Sequence, residues 1–140
     1  MVFATTQMPA INMATPDVCL TPIPSPVGPI PTPIPYPNIA VTATAIPSVV
    51  NVLTLAMPNH NMMTITPMSN GDNAGLMMNP LSGMVMGPQK QLLGSVTTFM
   101  GGSPANKMLG LSGQNGMMPG AFGETLSPSI RSVAPCAAPD

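Results

Sequence analysis

Few residues in this 140-residue chain could do chemistry on a bound molecule. It has one histidine, His60, and four acids, Asp17, Asp72, Glu124 and Asp140. General acid–base catalysis needs two titratable groups that converge on one substrate, and this inventory offers at most one such pair. No G-x-S-x-G, H-E-x-x-H or phosphate-loop string occurs. The residue types therefore argue against an enzyme. Two cysteines, Cys19 and Cys136, lie near opposite ends. Each reads as a small buried hydrophobe, a metal ligand or half of a disulfide. His60 follows a Pro-Asn pair between two strand-like runs. It reads as a hydrogen-bonded structural residue, or as a zinc ligand beside Cys19 and Cys136. Three ligands fall short of the four that a closed zinc site takes. Fifteen methionines lack a regular M-x-x-M spacing. They read as adaptable filler for a core or a contact surface, not as a copper thioether site.

The composition narrows the class further. Charged residues make up 5% of the chain, against about 25% in an ordinary domain. The only basic residues are Lys90, Lys107 and Arg131, too few to neutralise a phosphate backbone. Nucleic acid is thereby excluded as a partner. Twenty prolines argue against long helices, and the thirteen glycines show no collagen period. A mean hydropathy of +0.34 argues against charge-driven disorder. Residues 1–16 lack the basic segment of a signal peptide. Residues 18–71 carry no charge, but eleven prolines interrupt them, so no transmembrane helix is expected. A surface this poor in charge calls for a partner to cover part of it.

The elements that would position these residues are short and extended. Residues 1–16 read as an arm or a first edge strand. Residues 21–37 hold eight prolines at a spacing of two, with a phase change between Pro26 and Pro29. In an extended chain that spacing strips every N–H from one edge, so the segment reads as a stiff strap with a bend at Val27-Gly28. Strands are predicted at Ile39–Ala45, Val49–Ala56, Met62–Thr66, Met84–Met86 and Leu92–Met100. A strand–turn–strand pattern at residues 50–63 recurs 46 positions later at 96–109. The fold class is all-β, with a main domain over residues 17–125 and a tail over 126–140.

Several strings carry a resemblance. They are Asp17-Val18-Cys19-Leu20-Thr21-Pro22, Pro33-Ile34-Pro35-Tyr36-Pro37-Asn38-Ile39-Ala40, Met57-Pro58-Asn59-His60-Asn61 and Ser69-Asn70-Gly71-Asp72-Asn73-Ala74-Gly75. Met86-Gly87-Pro88 and Gly94-Ser95-Val96 follow, and Pro104-Ala105-Asn106-Lys107 looks like a diverged Pro-Ala-Ala-Arg signature. Over residues 10–125 the chain resembles the PAAR-like family of type VI secretion and related contractile injection systems. The resemblance implies a small conical β-structure that sits as one copy on a trimeric VgrG-type spike. It also implies a stay in the bacterial cytoplasm before firing and export at the spike tip afterwards. Transient contact with a target membrane follows, and an effector toxin is a second partner. A monomer on such a base needs pseudo-three-fold geometry, of which two hairpin copies are visible in the sequence. Relatives often have His where Gln91 stands and Cys near Met118. The metal role of the family, zinc binding, therefore passes here only to Cys19 and His60.

Overall fold

The computed structural model describes residues 4–46, 49–116 and 121–125. Strand β1 (Ile11–Ile23) and strand β2 (Ile30–Val41) form a long antiparallel hairpin. Four shorter strands join them: β5 (Ile65–Thr66), β6 (Gln89–Gln91), β9 (Leu111–Gln114) and β10 (Ala121–Thr125). The sheet order is β2-β1-β10-β9-β6-β5. Ile39 N–H donates to Asn70 O at 2.7 Å and Asn70 N–H to Ile39 O at 2.8 Å. This pair returns the chain beyond β5 to β2, so the six strands close on themselves. Two small hairpins complete the fold, β3 (Val49–Thr54) with β4 (Met57–Asn59), and β7 (Phe99–Met100) with β8 (Ser103–Pro104). Each turns on two residues of positive φ, Leu55-Ala56 and Gly101-Gly102, the geometry that matches strand twist in two-residue hairpins.

Three chain segments meet in a ring. Thr5 N–H donates to Asn106 O at 3.3 Å, Asn106 N–H to His60 O at 3.1 Å, and His60 N–H to Thr5 O at 3.0 Å. The bridges Thr6↔Asn59, Asn61↔Ala105 and Ala4↔Lys107 repeat one relation around that ring. Met8 N–H bonds Thr6 Oγ1 as Met63 N–H bonds Asn61 Oδ1. Each segment runs into a strand that turns back on itself: β1 with β2, β5 with β6, and β9 with β10. The chain therefore holds three copies of one unit around a pseudo-three-fold axis. The sequence repeat at 46 positions is the second and third copy. The first, 55 positions before the second, has no preceding hairpin among the described residues, which hides it from a sequence comparison.

The Pro-rich segment is not one strap. Its phase change is the turn of the β1–β2 hairpin, closed by Gly28 N–H to Ser25 O at 3.0 Å. Pro31, Pro33, Pro35 and Pro37 then lie on β2 with exposed rings. Leu20, opposite Pro33, gives its N–H and C=O to Met78 and Met77 instead of to β2. The ladder donors of β2 are thus the residues between the prolines, and the other edge lacks donors from 31 to 37. The first donor back on that edge is Ile39, where Asn70 covers it.

Other expectations need correction. Residues 11–16 belong to β1, an interior strand between β2 and β10, so they are neither an arm nor an edge. Residues Thr42–Thr44 form a 3-10 turn in place of the strand end expected there. Met84–Met86 is irregular because Met86 N–H turns inward to Asp72. Of the run from Leu92 to Met100, only Phe99–Met100 is a strand.

The interior is polar. The largest fully buried side chains include Gln114, Asn12, Asn38, Asn59, Asn61 and Asn115, and the buried apolar residues are alanines with Cys19 and Val49. Methionines do not fill the core: Met8, Met57, Met63, Met68, Met77, Met78 and Met84 are all exposed. The strands read inside out. Ile11, Ile65 and Leu111 point to solvent while Asn12, Thr66 and Ser112 point in. Three units converging on one axis leave a narrow interior. Amides, hydroxyls and alanines fit there, and their hydrogen bonds stay away from water.

Gly71 makes closure of the sheet achievable. Its φ is +137°, and a Cβ there would run into the carbonyl of Pro37. Gly71→Ala is expected to lower unfolding free energy by about 2 kcal/mol or more, measured by urea denaturation with β-sheet circular dichroism.

Candidate functional site

Asp17, Cys19 and Asp72 form a buried group whose ligand atoms all lie within 4.8 Å of one another. A β-bulge between Ala14 and Asp17 positions the first two. Before it the even-numbered residues Asn12 and Ala14 face inward; after it the odd-numbered Asp17 and Cys19 do. One extra residue in a strand re-aims every side chain that follows. Asp72 arrives on the turn after Asn70, and Gly75 packs against the Cys19 side chain with no room for a Cβ.

Amide groups converge on the two carboxylates. Asp17 accepts from the Nδ2 atoms of Asn38 at 2.7 Å, Asn79 at 2.9 Å and Asn115 at 2.6 Å. Asn115 Nδ2 also donates to Asp72 at 2.8 Å, so one amide links the two acids. Met86 N–H reaches both Asp72 oxygens at 3.2 Å. Asn115 is held in turn by Gly87 N–H on its Oδ1 at 2.8 Å. The Cys19 thiol lies 3.7 Å from an oxygen of each acid. Burial, and then the charges of Asp17 and Asp72, push it up to about 12. It is a protonated thiol at neutral pH and a donor to the carboxylates.

His60 lies apart from this group, in the ring with Thr5 and Asn106. Its Nε2 is 3.0 Å from Gln7 Oε1. Gln7 Nε2 donates to the carbonyls of Ala43 and Ala45, at 2.8 and 2.9 Å, which fixes the amide orientation. Gln7 Oε1 is therefore the acceptor, and His60 Nε2 carries the proton. Burial lowers the imidazole to about 4, so it is neutral.

The structure thus separates the two residues singled out for metal. Cys19 sits with two acids, and His60 with Gln7. Gln91 is buried in β6 with its Oε1 against Gly110; Met118 and Cys136 lie outside the described residues. Three ligand atoms this close could hold a metal ion. Their chemistry fits the implied zinc poorly: the group offers three ligand atoms and no histidine, and the carboxylate oxygens already accept from amides. Asp17, Asp72 and the three asparagines were not legible as a site. One signal was available, because Asp17 and Asp72 stand 55 positions apart, the same interval as Thr5 and His60. A further step of 46 from Asp72 reaches Met118, near which the family resemblance implies a Cys.

The fold is a closed all-β unit with internal three-fold repetition, a polar axis and apolar outer strands. The family model of the toxin PAAR-like domain matches residues 10–121, and the chain belongs to that PAAR-like family. No curated protein and no solved structure gives a match.

Two tests follow from this geometry. Asn115→Asp would replace the linking donor by a third buried carboxylate. It is expected to cost about 3 kcal/mol or more in urea unfolding, whereas chelator treatment leaves the wild-type midpoint unchanged. For His60, the folded value lies below the unfolded value of 6.5, so the unfolded chain takes up the proton first. Stability is then expected to fall as pH drops from about 6.5 to about 4, by up to about 3 kcal/mol. His60→Gln should flatten that slope in denaturation curves recorded at successive pH values.

Proposed function

We propose that this protein is the tip of a contractile injection machine of the type VI kind, seated as one copy on a trimeric VgrG-type spike. The observation that carries the reading is the ring of Thr5, His60 and Asn106. A single chain that repeats one contact three times about an axis can meet three equivalent surfaces of a trimer. Family membership supports the same reading.

The end of the molecule near the ring carries the two small hairpins. They expose Val50 (63%), Leu53 (58%) and Leu55 (55%) on one, and Phe99 (63%) on the other, with Val96 (75%) just before it. Clustered apolar side chains in a chain so short of charge mark an interaction surface. In this reading the protein waits in the bacterial cytoplasm, leaves with the spike and is driven into a target envelope. It acts by shape and cohesion, with no catalytic step and with the amide–carboxylate network in place of zinc. A second reading, an adaptor that carries a toxin, draws on a shallow pocket of about 320 Å³. Met13, Thr15, Leu111, Phe122 and Glu124 line it on the outer face of β1, β9 and β10.

Co-expression with a cognate spike, followed by size-exclusion chromatography with light scattering, is expected to give one copy per trimer. Leu53→Asp with Phe99→Asp should abolish that complex, because each buried charge costs several kcal/mol on docking, while thermal unfolding stays unchanged. Self-association without a complex would overturn the proposal. A toxin that co-purifies only when Phe122 is intact would establish the adaptor role.

A further inference from the structure

The opposite end of the molecule is built differently. Past Leu20, strands β1 and β2 continue together to Ile23 and Ile30, and the hairpin tip follows at residues 24–29. Ile23 (43%), Val27 (98%) and Ile30 (54%) are exposed, as are Pro24, Pro26 and Pro29. Leu20 is bonded through its backbone to Met77 and Met78. That contact sets the loop of residues 76–84 beside the hairpin, three residues before Ile23. The loop exposes Leu76, Met77, Met78, Leu81 and Met84. Between Asp17 and Lys90 the sole charged residue is Asp72, which is fully buried. The tip and its collar are therefore apolar and carry no charge.

We propose that this hairpin tip and collar insert into the apolar region of a lipid bilayer without being forced. The backbone favours lipid over a protein partner. Entry into hydrocarbon is opposed chiefly by unpaired N–H and C=O groups. Five of the ten residues from Pro22 to Pro31 are prolines and have no N–H to desolvate. Gly28 N–H is bonded to Ser25 O, and Ile23 pairs with Ile30. A partner that added a strand to β2 would need edge donors, and the prolines have removed them. No charge is available to attract an acidic or basic protein or an anionic headgroup. Insertion is therefore driven by apolar burial and is indifferent to salt.

The proposal rests on the spike-tip reading only for the target that the tip meets in the cell; the vesicle test needs no spike. The chain has no tryptophan, so one introduced residue reports alone. The full chain carrying Val27→Trp is mixed with phosphatidylcholine vesicles, and emission and quenching by brominated lipid are read. Phe99→Trp, at the ring end, is the control. Emission of the Val27→Trp variant should shift to the blue and be quenched at low and high salt, while that of the Phe99→Trp variant should do neither. In flotation of the unlabelled protein, Val27→Asp with Leu81→Asp should weaken vesicle binding by about tenfold or more, with an unchanged melting curve. Four results overturn the proposal: Val27→Trp emission that ignores saturating vesicles, equal quenching of the Phe99→Trp control, binding that requires anionic lipid, or full flotation of the Asp variants. Spike docking is scored separately on the same variants, so its failure leaves the vesicle result standing.

Discussion

Everything in this fold depends on closure of three chain segments around one axis. The ring through Thr5, His60 and Asn106 joins residues separated by 55 and 46 positions. Once it closes, six strands must share a narrow interior. A side chain of leucine size from each strand would not fit there. The positions that face the axis are therefore mostly alanine, serine, threonine and amides, and several of the amides bond one another or a backbone carbonyl, while Gln89 Nε2 and Gln114 Oε1 lack a partner. Asn12 Nδ2 donates to Gln89 Oε1, and Gln114 Nε2 donates to the Asn12 carbonyl. Apolar residues are displaced to the outer face, which reverses the ordinary arrangement of a small domain.

That reversal explains what the sequence conveyed and what it concealed. Turn residues and β-branched runs carried the all-β class, the β3 strand and the repeated hairpin. The proline alternation carried a donor-free edge, and its phase change marked the turn at residues 24–29. The core was concealed because apolar side chains point outward here, as Ile11, Ile65 and Leu111 do. Methionine reads as filler for a core or a contact surface, and Met8, Met57, Met63, Met68, Met77, Met78 and Met84 lie at the surface. The first copy of the repeat was concealed because, among the described residues, no small hairpin precedes its ring segment. The cluster at Asp17 was concealed by a bulge of one residue, since inward phase cannot be counted through a bulge.

His60 illustrates how a lone reactive residue is absorbed by structure. Its backbone closes the ring, and its imidazole donates to Gln7. Gln7 then ties the first segment to the carbonyls at Ala43 and Ala45, beyond β2. The histidine thus joins two of the three units and remains neutral because it is buried. Cys19 is absorbed in the same way, as a thiol that donates to two acids. Both residues are held in protonation states that suit the hydrogen bonds they make, a neutral imidazole on Gln7 and a thiol beside two carboxylates. The Asn115 amide bonds both Asp17 and Asp72 and so holds the two acids together.

The internal symmetry is unequal, and the inequality separates two ends. Copies two and three carry the small hairpins and have short strands. Copy one carries the longest strands, with β1 at 13 residues, or about 40 Å at 3.3 Å per residue. One end of the axis is therefore made by copies two and three together, with two equivalent apolar hairpins beside the ring. The other end is made by copy one, with a proline hairpin that no symmetry mate matches. At the first end the ring contact recurs three times about the axis and the small hairpin recurs twice. The second end pairs the proline hairpin with the loop of residues 76–84, bonded to it through Leu20, and has no three-fold match. Departure from symmetry is thus the physical reason that one small chain has two chemically distinct ends, a pair of apolar hairpins beside the ring and a single proline-rich hairpin away from it.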